Sequence, residues 1–115
     1  MTEKLRSRLF GSHGSRDVKP GEPRVVRFSF SVGTTSSKEP KAIMQEVLRV
    51  LHSRNVVTEV SNFVIMCALG ELIRFEIEVC KVPRLSQHGL RTKRMAGDAW
   101  TYKRVLTDLL EQMQL

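Results

Sequence analysis

Apolar residues recur along the chain with two different spacings, that of a strand and that of a helix. From Arg24 onward, large apolar side chains occupy every second position, which predicts a strand with one buried face. These positions are Val26, Phe28, Phe30 and Val32. The next residues, 33–37 (GTTSS), predict a turn, and Pro40 suits the first position of a helix.

Two longer segments have the period of a helix. Within residues 40–53 one face is apolar, and its members are Met44, Val47, Leu48 and Leu51. Asp98 follows a glycine and predicts a helix N-cap. The apolar face that follows it runs to the carboxyl end and consists of Tyr102, Val105, Leu106, Leu109, Leu110 and Met113.

Between the two predicted helices lie segments typical of strands, at residues 56–60, 62–69, 73–80 and 90–95. In residues 62–69 the odd positions are expected to face the core. In residues 73–80 alternation predicts one buried and one wet face, with Glu76 and Glu78 on the wet one. The expected core is Met44, Leu48, Leu51, Phe63, Ile65, Ile73, Phe75, Ile77, Val79, Leu106 and Leu110.

These elements predict an α+β fold. Both helices would pack on one face of a four- or five-stranded antiparallel sheet, because that arrangement buries every apolar stripe. A chain of 115 residues accommodates one such domain. Residues 1–23 are rich in glycine, proline and charge, so they are expected to form a flexible tail before a domain at residues 24–115.

The positive charge of the chain is concentrated. The net charge is +7, and residues 81–104 alone carry seven bases and one acid. A local excess of this size predicts an anionic partner, which could be lipid phosphate, nucleic-acid phosphate or an acidic protein face. A solvated basic face without a partner is the alternative.

Catalytic and metal-binding signatures do not occur in the sequence. It contains no phosphate-loop, dinucleotide-binding, HExxH, GxSxG or CxxC motif, and its three histidines are scattered. Neither enzymatic activity nor a cofactor nor a metal is therefore expected. Cys67 and Cys80 lie in apolar or strand-like runs, which suggests buried thiols in a reducing compartment. The longest apolar run, residues 63–69, is too short to cross a bilayer.

The carboxyl half contains specific motifs. The stretch FEIEVCKVPRLSQHGLRTKR followed by GDAWTYK, together with the upstream FSFSVGTTSS, resembles the kinase-associated domain 1 of microtubule-affinity-regulating, Par and Kin type serine/threonine kinases. The resemblance runs from about residue 24 to residue 115. It implies a non-catalytic α+β module that binds anionic phospholipids, phosphatidylserine above all, and that in several members restrains the kinase domain.

The resemblance also implies which residues contact lipid. The corresponding basic positions are Arg24, Arg27, Lys81, Arg84, Lys93 and Arg94. The expected partners are acidic phospholipids and the kinase domain of the parent chain. A cytoplasmic monomer, peripheral at the inner face of the plasma membrane and without a nucleic-acid ligand, is expected.

Two other functions stay open at this point. A helix, three strands and a helix also form the double-stranded RNA-binding module, and the basic charge suits phosphates. Against it, the second helix begins with Asp98 and Trp100 rather than with a lysine cluster. A domain that only docks on another protein is the third reading.

Overall fold

The structure is a computed structural model that describes residues 22–25, 34–82 and 87–115. It contains six strands and two helices. Their bounds are β1 Arg24–Val25, β2 Thr34–Ser36, α1 Pro40–Ser53, β3 Val57–Ser61, β4 Val64–Leu69, β5 Ile73–Lys81, β6 His88–Gly97 and α2 Ala99–Gln112. Most of the predicted first strand and the predicted tail up to residue 21 lie outside the described residues.

The sheet is built around a four-strand meander. β3, β4, β5 and β6 pair antiparallel in sequence order, and β2 pairs antiparallel with β6 at the outer edge. β1 runs parallel to the end of β5, with Arg24 opposite Cys80. The α+β class is therefore confirmed. The sheet has six described strands rather than four or five, and one of its pairs is parallel.

Helix α1 begins and ends where the apolar pattern predicted. Pro40 stands in its first turn, where a missing N–H costs nothing, and the Ile43 amide donates to the Glu39 carbonyl at 3.0 Å. The helix ends at Ser53, and Asn55 then adopts a left-handed conformation with φ of 60°. This turn sends the chain back into β3.

Helix α2 starts from a tight connection with β6. The Asp98 carboxylate accepts a hydrogen bond from the Thr101 amide at 2.8 Å, which confirms the predicted N-cap. Gly97, just before it, has a φ of +101°, and a Cβ there would lie 2.3 Å from the Leu72 carbonyl oxygen. Only glycine fits this close approach.

The core lies between one face of the sheet and the two helices. Its side chains are Ile43, Met44, Val47, Val50, Leu51, Val56, Phe63, Ile65, Cys67, Ile73, Phe75, Ile77, Val79, Leu90, Leu109 and Met113. The predicted core is confirmed, with Leu48, Leu106 and Leu110 partly buried at its margin. The odd positions of β4 face it as expected, and the rings of Phe75 and Tyr102 lie 5.8 Å apart in a tilted arrangement.

Three details of the sequence interpretation were wrong. Residues 34–36 form β2 rather than a turn, because pairing with β6 draws this threonine-rich stretch into the sheet. The last strand extends over His88–Gly97 rather than residues 90–95. The second face of β5 is not wet, since Glu76 and Glu78 are each 1% exposed.

The Glu46 carboxylate of α1 hydrogen-bonds to the carboxyl end of the chain. Glu46 accepts two hydrogen bonds from Arg49, at 2.9 and 2.7 Å, and one from the Gln114 amide at 2.7 Å. The Arg49 bonds first, and the Gln114 amide next, lower the pKa of Glu46 to about 2. The ionised carboxylate is therefore favoured by the fold.

We expect this carboxylate to contribute to acid sensitivity. A folded-state pKa below the unfolded value stabilises the protein above pH ~4.5, and the contribution is lost as the pH falls through about 2. Glu46→Gln should lower the free energy of unfolding at pH 7 by about 0.5 to 1 kcal/mol and flatten its pH dependence below pH ~5. Urea titrations across this range measure both effects. Glu111→Gln removes one exposed acid from α2, and an identical acid profile for the two variants would contradict the role of Glu46.

Candidate functional site

Strand β6 contains three bases, Arg91, Lys93 and Arg94. In its register with β5, Arg91 lies opposite Glu78 and Lys93 lies opposite Glu76. Side chains alternate across a sheet, and Ile77 and Val79 face the helices. Arg91 and Lys93 therefore lie on the other side of the sheet, which we call the outer face.

A β-bulge interrupts this alternation just after Arg94. Phe75 pairs with Arg94 and Arg74 pairs with Ala96, so Met95 is an extra residue with no partner in the ladder. A bulge bends its strand and increases the local twist. Lys93, opposite Glu76, therefore lies on the outer face, whereas Arg94, opposite Phe75, lies on the helix side, and both are exposed next to the bend.

A buried ion-pair network occupies the outer face. It consists of Arg24, Glu76, Glu78 and Arg91. Arg24 binds both oxygens of Glu78 at 2.9 and 3.0 Å, and Arg91 Nη2 lies 2.9 Å from Glu76 Oε2 and 2.9 Å from Glu78 Oε1. Among the described residues of this network, the two bases match the two acids in charge.

The ion-pair network favours the ionised form of Glu78. Burial alone would raise the pKa of Glu78, but the hydrogen bonds from Arg24 and Arg91 outweigh it and lower the pKa. The same contact with Glu78 raises the pKa of Arg24. Arg24, predicted to bind lipid, thus has a structural partner, although 34% of its side chain is exposed.

Lys93 and Arg94 have a different environment. Both are exposed. Arg94 Nη1 donates to the Gly97 carbonyl oxygen at 2.7 Å, which is a neutral partner and leaves the guanidinium charge in place. No ion pair with an acidic side chain is recorded for either residue in the described part of the chain. Both cations can therefore approach an external anion.

The remaining predicted site residues are not gathered around this pair. Lys81 is half-buried at the far end of β5, six residues from Phe75, which is about 20 Å along a strand. Burial first, and the Lys81 charge next, lower the pKa of His88 beside it. Arg27 and Arg84 lie outside the described residues.

Sequence reasoning missed two features of this region. Arg91 lies within the basic excess but has no predicted role, although its place opposite Glu78 and diagonal to Glu76 favours an ion pair. Three large apolar residues, Leu72, Met95 and Trp100, are exposed near the bulge, and no periodicity marked them.

Other reactive groups are sequestered. Cys67 and Cys80 are free and buried, and burial raises the pKa of both thiols, that of Cys80 to about 12.

Among residues 22–25, 34–82 and 87–115, no three His, Cys, Asp or Glu side chains are placed to hold a metal ion together. No helix in the same ranges is long and apolar enough to span a bilayer.

The part of the chain that contains these exposed bases matches a known protein family. A family model described as kinase associated domain 1 matches residues 71–115, which include β5, β6 and α2. The chain belongs to the kinase associated domain 1 family. The kinase associated domain 1 is a non-catalytic domain of serine/threonine kinases.

Similar proteins agree with this assignment. The probable serine/threonine-protein kinase MARK-A of Dictyostelium discoideum is 46% identical over 95 residues, which is 82% of this chain and 9% of that protein. The maternal embryonic leucine zipper kinase of Xenopus laevis is 33% identical over 98 residues, 81% of this chain and 15% of the kinase. The chain thus spans only 9% to 15% of the length of these curated relatives.

Proposed function

We propose that this kinase associated domain 1 binds anionic phospholipid membranes through the exposed bases of β6, Lys93 and Arg94. The single observation that carries the proposal is their contrast with Arg24 and Arg91. Arg24 and Arg91 form ion pairs with the buried glutamates of the outer face, whereas Lys93 on that face and Arg94 on the helix side are exposed at the same end of β6. Their charge is available for lipid phosphates.

The expected attachment is weak and reversible. A base near an anionic leaflet contributes about 1 kcal/mol, so Lys93 and Arg94 together would contribute about 2 kcal/mol. Further bases, including Arg27 and Arg84, would add to this. Such binding is screened by salt. It suits a module that acts with a second contact on the same kinase, because two weak contacts together hold an enzyme far better than one.

In this proposal the domain regulates its parent kinase. Similarity to serine/threonine kinases supports a parent of that class. If the kinase domain binds the same basic surface as the membrane, lipid would release it, and localisation to the inner face of the plasma membrane would be coupled to activity. Addition of the domain in trans to the parent kinase domain, with and without phosphatidylserine vesicles, tests this coupling.

The RNA-binding alternative loses support from the topology. Four strands, β3 to β6, separate the two helices in the described structure, whereas the RNA-binding pattern requires three. Duplex RNA nevertheless belongs in the experiment as a competitor, because phosphates of either source could bind Lys93 and Arg94.

The test replaces both bases at once. Lys93→Ser/Arg94→Ser should weaken binding to phosphatidylserine vesicles about tenfold or more, at about 1 kcal/mol for each base, with an unchanged circular dichroism spectrum. Vesicle pelleting at several salt concentrations measures the effect, and salt should weaken the wild type more than the variant. The matched control is Lys38→Ser/Lys41→Ser, which removes two exposed bases at and just before the start of α1. Lys38, like Arg94, donates to a backbone carbonyl, that of Gln114.

Three results would count against lipid binding at this site. The first is equal loss in the variant and the control, which would indicate a response to net charge alone. The second is equal binding of phosphatidylserine and neutral vesicles. The third is displacement of the domain from vesicles by duplex RNA at lower concentrations than the lipid requires, which would favour RNA as the ligand.

A further inference from the structure

Large apolar side chains are exposed at one end of the sheet. Leu72 is 64% exposed, Met95 is 45% exposed and Trp100 is 71% exposed. Single exposed apolar residues are common on protein surfaces, but three close together mark an interaction site more often. Their arrangement relative to the bases of β6 and α2 indicates what they bind.

The backbone brings these three residues to the same end of the sheet. Ile73 pairs with Gly97, so Leu72 lies where β5 begins and β6 ends. The close approach of Gly97 to the Leu72 carbonyl oxygen holds the two chain segments together. Met95 is the extra residue of the bulge, and Trp100 lies in the first turn of α2, three residues after Gly97.

Cations lie next to two members of the apolar group, Trp100 and Met95. Trp100, Lys103 and Arg104 have helical i, i+3 and i+4 spacing, which places them on one face of α2, and all three are exposed. Arg94 precedes Met95 directly. Acidic residues are present too: Glu71 and Asp98 lie at the same end, and Asp108 and Glu111 lie farther along the Trp100 face of α2. The Thr101 amide and hydroxyl both bond to Asp98, and they lower its pKa.

We propose that Leu72, Met95 and Trp100 form an apolar anchor that inserts into the headgroup boundary of an anionic bilayer. This inference rests on the proposed lipid binding and deepens it. Tryptophan prefers that boundary because its ring is apolar and its N–H is polar. Lys103, Arg104 and Arg94 would contact the phosphates around it. An apolar group flanked by bases on β6 and α2 matches an acidic membrane interface in both chemistry and charge.

Trp100 can serve as a fluorescence probe, because it is the only tryptophan in the sequence. Addition of phosphatidylserine vesicles to the whole chain should shift its emission to shorter wavelengths, and lipids brominated along the acyl chain should quench it. Phosphatidylcholine vesicles should do neither. Binding is followed in the same samples by pelleting, so insertion and attachment are measured separately.

Variants test the anchor without relying on fluorescence. Trp100→Ala should weaken binding to phosphatidylserine vesicles about tenfold, because most of the exposed ring would leave water on insertion. Met95→Ala should weaken it about threefold. The control is Val60→Ala, since Val60 is also 45% exposed but lies on β3, at the opposite edge of the sheet from β6. It should bind as the wild type does.

The outcomes separate this inference from the proposed function. Normal pelleting with phosphatidylserine and an unchanged, unquenched emission would overturn the anchor and leave electrostatic lipid binding intact. Loss of selectivity for phosphatidylserine over phosphatidylcholine would overturn both. An emission shift caused by the isolated kinase domain, and not by vesicles, would assign the apolar group to a protein partner and overturn the anchor.

Discussion

Phe75→Ala is expected to lower the free energy of unfolding by roughly 3 to 5 kcal/mol. Phe75 is fully buried in β5, an inner strand of the meander, and its ring packs against Tyr102 of α2. Truncation removes apolar contacts from both the sheet and the helix layer and leaves a cavity between them. Urea denaturation monitored by circular dichroism measures the loss as a lower midpoint at an unchanged slope.

A loss this large is a substantial part of the total stability of a small domain. Phe75→Leu therefore accompanies it, because a volume-conserving change should cost less than about 1.5 kcal/mol and leave a measurable transition. If Phe75→Ala unfolded within 1 kcal/mol of the wild type, the described packing of α2 on β5 would be wrong.

Arg91→Met should destabilise the domain by roughly 3 kcal/mol. Arg91 is the base that bonds both Glu76 and Glu78, and both carboxylates are almost fully buried. Its removal takes one cationic hydrogen-bond partner from each of two buried carboxylates, and this loss outweighs the apolar contacts that methionine adds. Lys93→Met, two residues along the same face but exposed, is the matched control and should change stability little.

The pH dependence distinguishes charge from packing. In the wild type Arg24 and Arg91 hold the pKa of Glu78 below its ordinary value against burial. Without Arg91 that pKa rises, so the folded variant takes up a proton more readily and its deficit should shrink as the pH falls toward about 5. A deficit that stays constant between pH 8 and 5 would point to lost packing contacts instead.

The helices could be predicted because their signals are local. Residues 40–53 combine a proline at the start with a complete apolar stripe, and Asp98 caps its own helix through Thr101. Each signal involves neighbouring residues, so no knowledge of the rest of the chain is needed. The core-facing positions of β4 and β5 followed from alternation for the same reason.

The outer face could not be predicted from β5 alone. Its alternating glutamates are typical of a wet surface, and their burial depends on Arg24 and Arg91, which are distant in sequence. One signal was present in β4, whose segment VIMCAL is apolar at every position and so indicates a strand covered on both sides. Val64, Met66 and Ala68 are indeed buried on the side of the glutamates.

The candidate site was predictable to the level of residue type. Charge counting located the basic segment, and resemblance selected residues within it, but neither could separate a base with an internal partner from one without. Arg91 and Lys93 illustrate this: each lies opposite a glutamate on the same face, but Arg91 bonds both Glu76 and Glu78, whereas Lys93 is exposed. The difference depends on side-chain packing in three dimensions.

The parallel pairing of β1 has a consequence for the order of folding. β3 to β6 can assemble as successive hairpins, each closing a short loop. Arg24 must instead reach Glu78 across a separation of 54 residues. Closing so long a loop costs conformational entropy before any contact compensates for it. We therefore expect β1 to dock late and to detach first in local opening. The edge of β5 would then be exposed transiently while the hydrophobic core stays closed.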